Sequence, residues 1–510
     1  MKKRLFALFI TLIILLSLCA CGGGSKPSVS DNGGGSDAPE IKVLRVGMDG
    51  EPSKYFENTG GGYGPGFYAW GCYTTLWMYT TDGQLHYLLG TSYEYNNDNT
   101  ELTIHIRSGA KFANGDPITA DDVLYSLEAE HNDRGDRTAS VDFDKTRATD
   151  DTTLLLALKT RIPTQIEDLA LLNIGSRKWT ENGTNEDHMH VNVLESGAYY
   201  LPNGWTTGAK MIMEKNPYYW DKDSLVYDRI EVSFIPEENT RYLEFTTGGF
   251  DLCMLGDSKN IDSIKADSKY TLYHAPFQCN VGLMLDTSVH PTFANQDLRL
   301  AIMYAVDVKT IVDTICGSAY VKATSMLPST SWAYKNTEYV YDPDLARQYY
   351  EKSGVKDFSW TLTINNQDPN KDIAEAIQAY LAEIGITMYI DVVDMPTFFS
   401  LMGGGAMDST ITQYSGSYDP GGVLNSWLST SNNNMNKPSP EIQELLDQAC
   451  TSLADQAART QMFYQLQDEV KDYGKVLPLF EKTTNFAEAN GVDCSSSVQA
   501  DGYLVPMFLK

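Results

Sequence analysis

Seven histidines stand among the 510 residues, and only His188 and His190, in EDHMH, lie close in sequence. A bound metal ion takes clustered histidine, cysteine or carboxylate ligands. With Glu186 or Asp187 this pair could hold one; the other reading is a solvated polar loop. Ser108-Gly109-Ala110-Lys111 has the SxxK spacing at which a lysine can sit beside a nucleophilic serine. That chemistry wants the serine opening a helix, with SDN and KTG motifs elsewhere. Here the serine follows a strand-like stretch and neither partner motif occurs. GxSxG is also missing, and 67 acidic residues are too many for spacing alone to single out a catalytic pair. The expectation is a protein that is no enzyme and needs no cofactor or metal.

Residues suited to binding are better represented. Gln413–Gly422 reads QYSGSYDPGG, with two tyrosines, two serines, an aspartate and turn formers. Aromatic rings offer apolar faces, and phenol hydroxyls offer hydrogen bonds. From Glu57 the chain reads ENTGGGYGPGFYAWG, in which glycines alternate with Tyr63, Phe67, Tyr68 and Trp70. The lysine of a phosphate-binding loop is missing. Two readings stand: an aromatic loop lining a cleft, or a surface loop with a packed hydrophobic end.

The elements that would position these residues can be read from periodicity. Ile41–Met48 has strand character. Thr100–Arg107 alternates strictly, with Leu102, Ile104 and Ile106 on one face, the pattern of a half-buried strand. Asn114-Gly115-Asp116-Pro117 is a turn. Thr119 caps a helix there, with Asp122 near its positive end and Val123, Leu124 and Leu127 on its apolar face. Another strand covers Thr152–Leu158. Asp297–Cys316 reads as one amphipathic helix, and Ile373, Ile377, Leu381 and Ile384 mark another, ended by Gly385. Strands at 386–392 and 408–412 flank a short helix near Thr397–Met402. Helices near Glu441–Ala454 and Ala457–Tyr473 precede a strand in KVLPLF. Alternating strands and helices predict an α/β domain with a largely parallel sheet. Ligands of such sheets sit beyond the C-terminal strand ends, where QYSGSYDPGG falls.

The first residues, MKKRLFALFITLIILLSLCAC, have the layout of a secretory signal: three basic residues, an apolar run too short to span a bilayer, then small residues. Leu18-Cys19-Ala20-Cys21 resembles a lipobox, with Cys21 as the lipidated residue. The Gly/Ser-rich tract from 21 to 40 reads as a flexible tether. This predicts a protein lipid-anchored to the outer face of the cell membrane; a plain signal peptide is the alternative. The net charge is −28, and removal of residues 1–20 takes three positive charges and no acid, leaving −31. Such a surface excludes nucleic acid as partner. About 470 residues after the tether suggest roughly three domains. Six scattered cysteines, several in apolar patterns, read as buried free thiols.

The stretch YTTLWMYTTDGQLHYLLGTSYEYNNDNTELTIHIRSGAKFANGDPITADDVLYSLE resembles the signature region of the family 5 extracellular solute-binding proteins, the binding lipoproteins of oligopeptide, dipeptide and nickel ABC importers. Leu76, Ile106-Arg107, Gly109, Lys111-Phe112, Gly115, Pro117, Thr119-Ala120, Asp122-Val123 and Tyr125-Ser126 carry the match. Further stretches fit in order, among them SGAYYLPNGW, EKNPYYWD, RYLEFTTGGFDL and LRLAIMYAVDVKTIV, from about residue 41 to the C-terminus.

The resemblance implies a class II periplasmic-binding-protein-like α/β fold: two lobes, a hinge and an extra domain. Lobe I would be 41–78 with 195–287 and 483–510, the extra domain 79–194, and lobe II 288–482. It implies capture of oligopeptides in the closing cleft and delivery to ABC permease subunits. Peptide-binding members carry a W-x-x-D segment after the strand matching 408–412, whose aspartate neutralises the peptide amino group. Tyr414 then stands for the tryptophan and Ser417 for the aspartate. Asp419-Pro420 match a later acidic-proline pair, and Met395 a preceding aromatic. The ligand-binding candidates are therefore Tyr63, Phe67, Met395, Tyr414, Ser417, Tyr418 and Asp419. Asp419 or Glu57 would have to replace the missing aspartate. Otherwise the solute is a sugar or a blocked or cyclic peptide. A surface signal-peptide sensor without its own permease is a further alternative.

Overall fold

Two long strands, Thr271–Leu285 and Val476–Glu488, run antiparallel through the middle of the molecule. The computed structural model describes residues 41–510 apart from 52–62, 81–82, 134–136, 182–193, 207, 368, 416–417, 429–437 and 500–501. Cys21, Glu57, His188, His190 and Ser417, singled out in the sequence, thus lie outside the described residues. On the far side of Thr271–Leu285 follow Ser409–Ser415, Ser359–Asn365 and Thr387–Val393. On the far side of Val476–Glu488 follow Leu252–Met254, Val43–Met48, Arg229–Phe234, Met211–Lys215 and Tyr199–Tyr200, with Tyr320–Lys322 added beside the same long strand.

This sheet is mixed, which corrects the expectation of a largely parallel one. The parallel pairs are local, Ser359–Asn365 with both neighbours and Val43–Met48 with both of its own. The long antiparallel strands join these two groups. Both strands feed separate cores. At one end Tyr273 and Phe486 pack with Leu44, Val46 and Ile230. At the other, Val281, Leu283, Leu477 and Leu479 pack with Ile302, Leu362 and Ile377. A further cluster with Trp427, Phe463 and Leu466 lies on the opposite face of that second half.

Between the two ends the ladder is irregular. Pro276 pairs with Thr483 and Asn280 with Glu481, so Phe277, Gln278 and Cys279 stand opposite Lys482 alone. A second register shift lies between Val281 and Gly282. Bulges bend and twist a strand, and these sit where the chain passes from one core to the other.

A separate sheet, Gly90–Tyr95, Glu101–Ile106, Thr153–Ala157 and Arg147–Asp150, covers a third core. The alternation at Leu102, Ile104 and Ile106 is realised, with all three buried. Each such side chain contributes about 1.5–3 kcal/mol. The helix Ala120–Asp133 starts as half a capping box. The Asp122 carboxylate accepts from both the N–H and the hydroxyl of Thr119, each at 2.9 Å.

Two elements differ from the sequence expectation. Asp297–Cys316 is broken at Val306–Asp307, where the Asp307 side chain accepts from the Thr310 N–H and restarts the helix. The glycine-rich stretch forms a helix, Tyr63–Cys72. The six described cysteines are free thiols, five of them buried. Among the described residues no helix is long and apolar enough to cross a membrane.

Candidate functional site

The strand Ser409–Ser415 ends beside Cys279, at the bulged level of the long strands. Ser359–Asn365 and Thr387–Val393 run parallel in the same direction, so their following turns emerge on the same side. Among the described residues no strand pairs with the first half of Thr271–Leu285 on the edge away from Val476–Glu488, and that edge faces the same side. Leu272 to Phe277 are all half-exposed, whereas the partner strand is buried nearly throughout. This edge, with the strand ends at 365, 393 and 415, forms a candidate cleft at the C-terminal strand ends.

Tyr414 is the best placed of the predicted residues. It pairs with Asn280, which pairs with Glu481 on its other side. Residues directly opposite in antiparallel strands point to one face, so the three form a row. Asn280 Nδ2 donates to the carbonyls of Ser325 and Met326, at 2.9 and 3.2 Å. Glu481 accepts from the Ser329 N–H at 3.1 Å and its hydroxyl at 2.6 Å. Burial pushes the Glu481 carboxyl above its ordinary range, against the pull of these two hydrogen bonds. The row thereby fastens the segment 325–329 to the bulged region. Half-exposed Tyr414 lies edge-on to Trp427, ring centres 4.6 Å apart.

The other predicted positions divide. Met395 is half-buried at the first turn of the helix Met395–Gly404, which Asp394 caps through the Thr397 N–H. Tyr63 begins the helix Tyr63–Cys72. Phe67 needs correction: it is 1% exposed and packs among Leu44, Val46 and Met48. A helix turns that face of the stretch inward, so the core reading holds for it.

Asp419 is also corrected as a solute ligand. It is 6% exposed, and Arg459 grips its carboxylate with two bonds, at 2.5 and 3.0 Å. The Gly421 N–H donates to the same carboxylate at 2.8 Å. Arg459 is in turn stacked near Trp332 and Phe463. A carboxylate held this way is already neutralised and has little capacity left for a solute ammonium.

Tyr418 faces a different partner than expected. Its ring stacks on Tyr79, with centres 4.6 Å apart and planes at 8°. Next to it, the Asp419 backbone N–H donates to both oxygens of Glu167, at 2.9 and 2.7 Å. Burial pushes the Tyr79 phenol up, and nearby Glu167 adds to the effect. Sequence reasoning missed Glu167, Arg459 and Tyr79, which lie far from the loop in the chain. It also missed the helix Pro420–Leu428, which begins inside the quoted loop. A signal for that helix was present: Asp419 before Pro420 is a cap followed by proline at the first helical position.

A family model described as bacterial extracellular solute-binding proteins, family 5 Middle, matches residues 84–435. Probable D,D-dipeptide-binding periplasmic protein DdpA of Escherichia coli K12 is 26% identical over 436 residues, 81% of this chain and 84% of its own. Oligopeptide-binding protein OppA of Bacillus subtilis 168 is 23% identical over 540 residues, 96% of each chain. Among solved structures, the ABC transporter substrate binding protein CtaP from Listeria monocytogenes matches with a TM-score of 0.80 at 19% identity. That match covers 92% of this chain and 99% of the other. At such identity the likeness carries the fold, the two-lobed class II kind that the sequence resemblance implies.

Proposed function

Because this chain belongs to the bacterial extracellular solute-binding proteins of family 5, we propose that it captures oligopeptides between two closing lobes and delivers them to an ABC permease. The observation that carries this reading is the pair of long strands. They link two cores through a bulged region and leave the half-exposed edge 272–277 beyond the strand end at Ser415. A cleft over a bendable link can bury most of a small solute. An edge with no paired strand among the described residues offers main-chain groups to the main chain of a peptide, whatever its side chains. Relatives named for D,D-dipeptides and oligopeptides support the same class.

We assign lobe I to 41–78, 195–287 and 483–510, the extra domain to 79–194, and lobe II to 288–482. Tyr414, with Met395, Tyr63 and Ser417, is assigned to the cleft wall. Since Arg459 occupies Asp419, Glu57 is the remaining acid proposed for a peptide ammonium. The same occupancy favours a second reading, a solute without a free ammonium, such as a blocked or cyclic peptide or a sugar.

The deciding experiment is to purify residues 26–510, extract the co-purified solute and identify it by mass spectrometry. Linear peptides are expected; recovery of sugars or blocked peptides alone would establish the second reading. Calorimetric titration of the recovered solute should show at least tenfold weaker binding to Tyr414→Ala, about 1.4 kcal/mol. Unchanged affinity would remove Tyr414 from the site.

Attachment to the membrane is assigned to a lipid on Cys21, followed by the Gly/Ser-rich tether. Metabolic labelling with a fatty-acid analogue should mark the wild type and spare Cys21→Ala. Equal labelling of both would refute the anchor.

A further inference from the structure

The contact of Tyr418 and Asp419 with Tyr79 and Glu167 joins segments 252 residues apart for the Glu167 pair. Tyr79 and Glu167 belong to the core around Leu102 and Leu156 or border it, and Tyr418 and Asp419 to the half that holds Trp427 and Phe463. Each partner is rigidly mounted. Tyr79 ends a strand, Trp77–Tyr79, paired with Leu85–Tyr87. Glu167 lies in the helix Gln165–Ala170, and Trp77 Nε1 donates to the Ile166 carbonyl at 2.6 Å. Asp419 is fixed by Arg459. Gly83 allows the close approach: a Cβ there would meet the Tyr418 hydroxyl at 2.5 Å, and its φ is +77°.

We propose that Tyr79 and Glu167 form a latch by which the inserted domain holds the second lobe closed, with the Asp419 amide and the Tyr418 ring as its catch. The latch rests on the reading that the lobes open and close. Its parts suit repeated making and breaking. Ring stacking needs no fixed register, and a carboxylate taking one N–H through both oxygens tolerates small rotations. The Arg459 pair stays within its own lobe, so opening exposes one amide and one carboxylate to water and strands no buried charge. Asp419 thus acts as a positioning residue: its side chain orients the amide that Glu167 receives.

The test needs no solute. In exhaustively dialysed protein, hydrogen exchange of the segment 418–421 is followed by mass spectrometry, and the radius of gyration by small-angle X-ray scattering. Glu167→Ala and Tyr79→Ala should each speed exchange of that segment at least tenfold and raise the radius of gyration. The strand 409–412 should keep its wild-type exchange, which also shows that the lobe stays folded. Tyr79→Phe retains the stack and should behave as wild type. Gly83→Ala, which pushes Tyr418 away, should behave as Tyr79→Ala. Wild-type exchange at 418–421 in both alanine variants, or faster exchange with an unchanged radius of gyration, would overturn the latch. Because no solute is measured, failure of the peptide assignment would leave these outcomes unaffected.

Discussion

Arg459→Ala is expected to lower the stability of the second lobe by about 3–5 kcal/mol, the cost typical of breaking a buried ion pair from one side. The variant leaves the Asp419 carboxylate buried, with the Gly421 N–H still donating to it. It also removes the guanidinium contacts with the rings of Trp332 and Phe463. The carbonyl of Ala449 loses the donors that Arg459 supplies at 3.3 and 3.4 Å. Urea unfolding followed by tryptophan fluorescence measures the loss. Adding Asp419→Asn to the same chain should recover part of it, because the stranded charge is gone. A loss below 1 kcal/mol, or a double variant no better than the single, would show that the pair is not what holds the loop.

Glu195→Gln should stabilise the protein above pH 7 and leave it unchanged below about pH 4.5. Glu195 is buried, and it accepts from the Leu201 N–H at 3.1 Å. Burial pushes its carboxyl up from 4.5 to about 7. Between these values the folded protein holds a proton that the unfolded chain releases. Stability therefore falls as pH rises through that window, by about 3 kcal/mol in all. Glutamine has no proton to lose, so the slope should flatten. Buried Lys475, held down to about 7 from 10.5 by burial, acts in the opposite direction and at higher pH. Its contribution makes stability rise between about 7 and 10.5, so the two windows meet without overlapping. Urea midpoints at pH 4.5, 6 and 8 decide the matter. Parallel profiles for wild type and Glu195→Gln would mean that Glu195 does not titrate in the window.

The strand at Leu102, Ile104 and Ile106 and the cap at Thr119–Asp122 were legible because their determinants are local. An alternation or a three-residue hydrogen bond is written in adjacent letters. The glycine-rich helix Tyr63–Cys72 was not, because glycine argues against helix by propensity and only the burial of Phe67, Tyr68 and Trp70 overrides it. The same limit governed the loop. Its polar and aromatic letters pointed to contact, and contact is what Tyr418 and Asp419 make. Their partners, Tyr79, Glu167 and Arg459, come from distant segments, and no spacing rule links them to the loop. A carboxylate read as available was already taken by an arginine forty residues on.

The two central strands also determine how the chain could be cut. Met284 pairs with Val476, so the polypeptide leaves for the second core and comes back at adjoining positions, about 5 Å apart in a ladder of this kind. Residues 285–475 therefore form a cassette with touching ends. A short Gly/Ser bridge from 284 to 476 would excise it without stretching the first core, and the complementary fragment could be closed on itself. Such a layout makes most of the second lobe exchangeable in one piece, so a relative's segment could be grafted at these two positions while the core around Leu44, Val46 and Ile230 is kept.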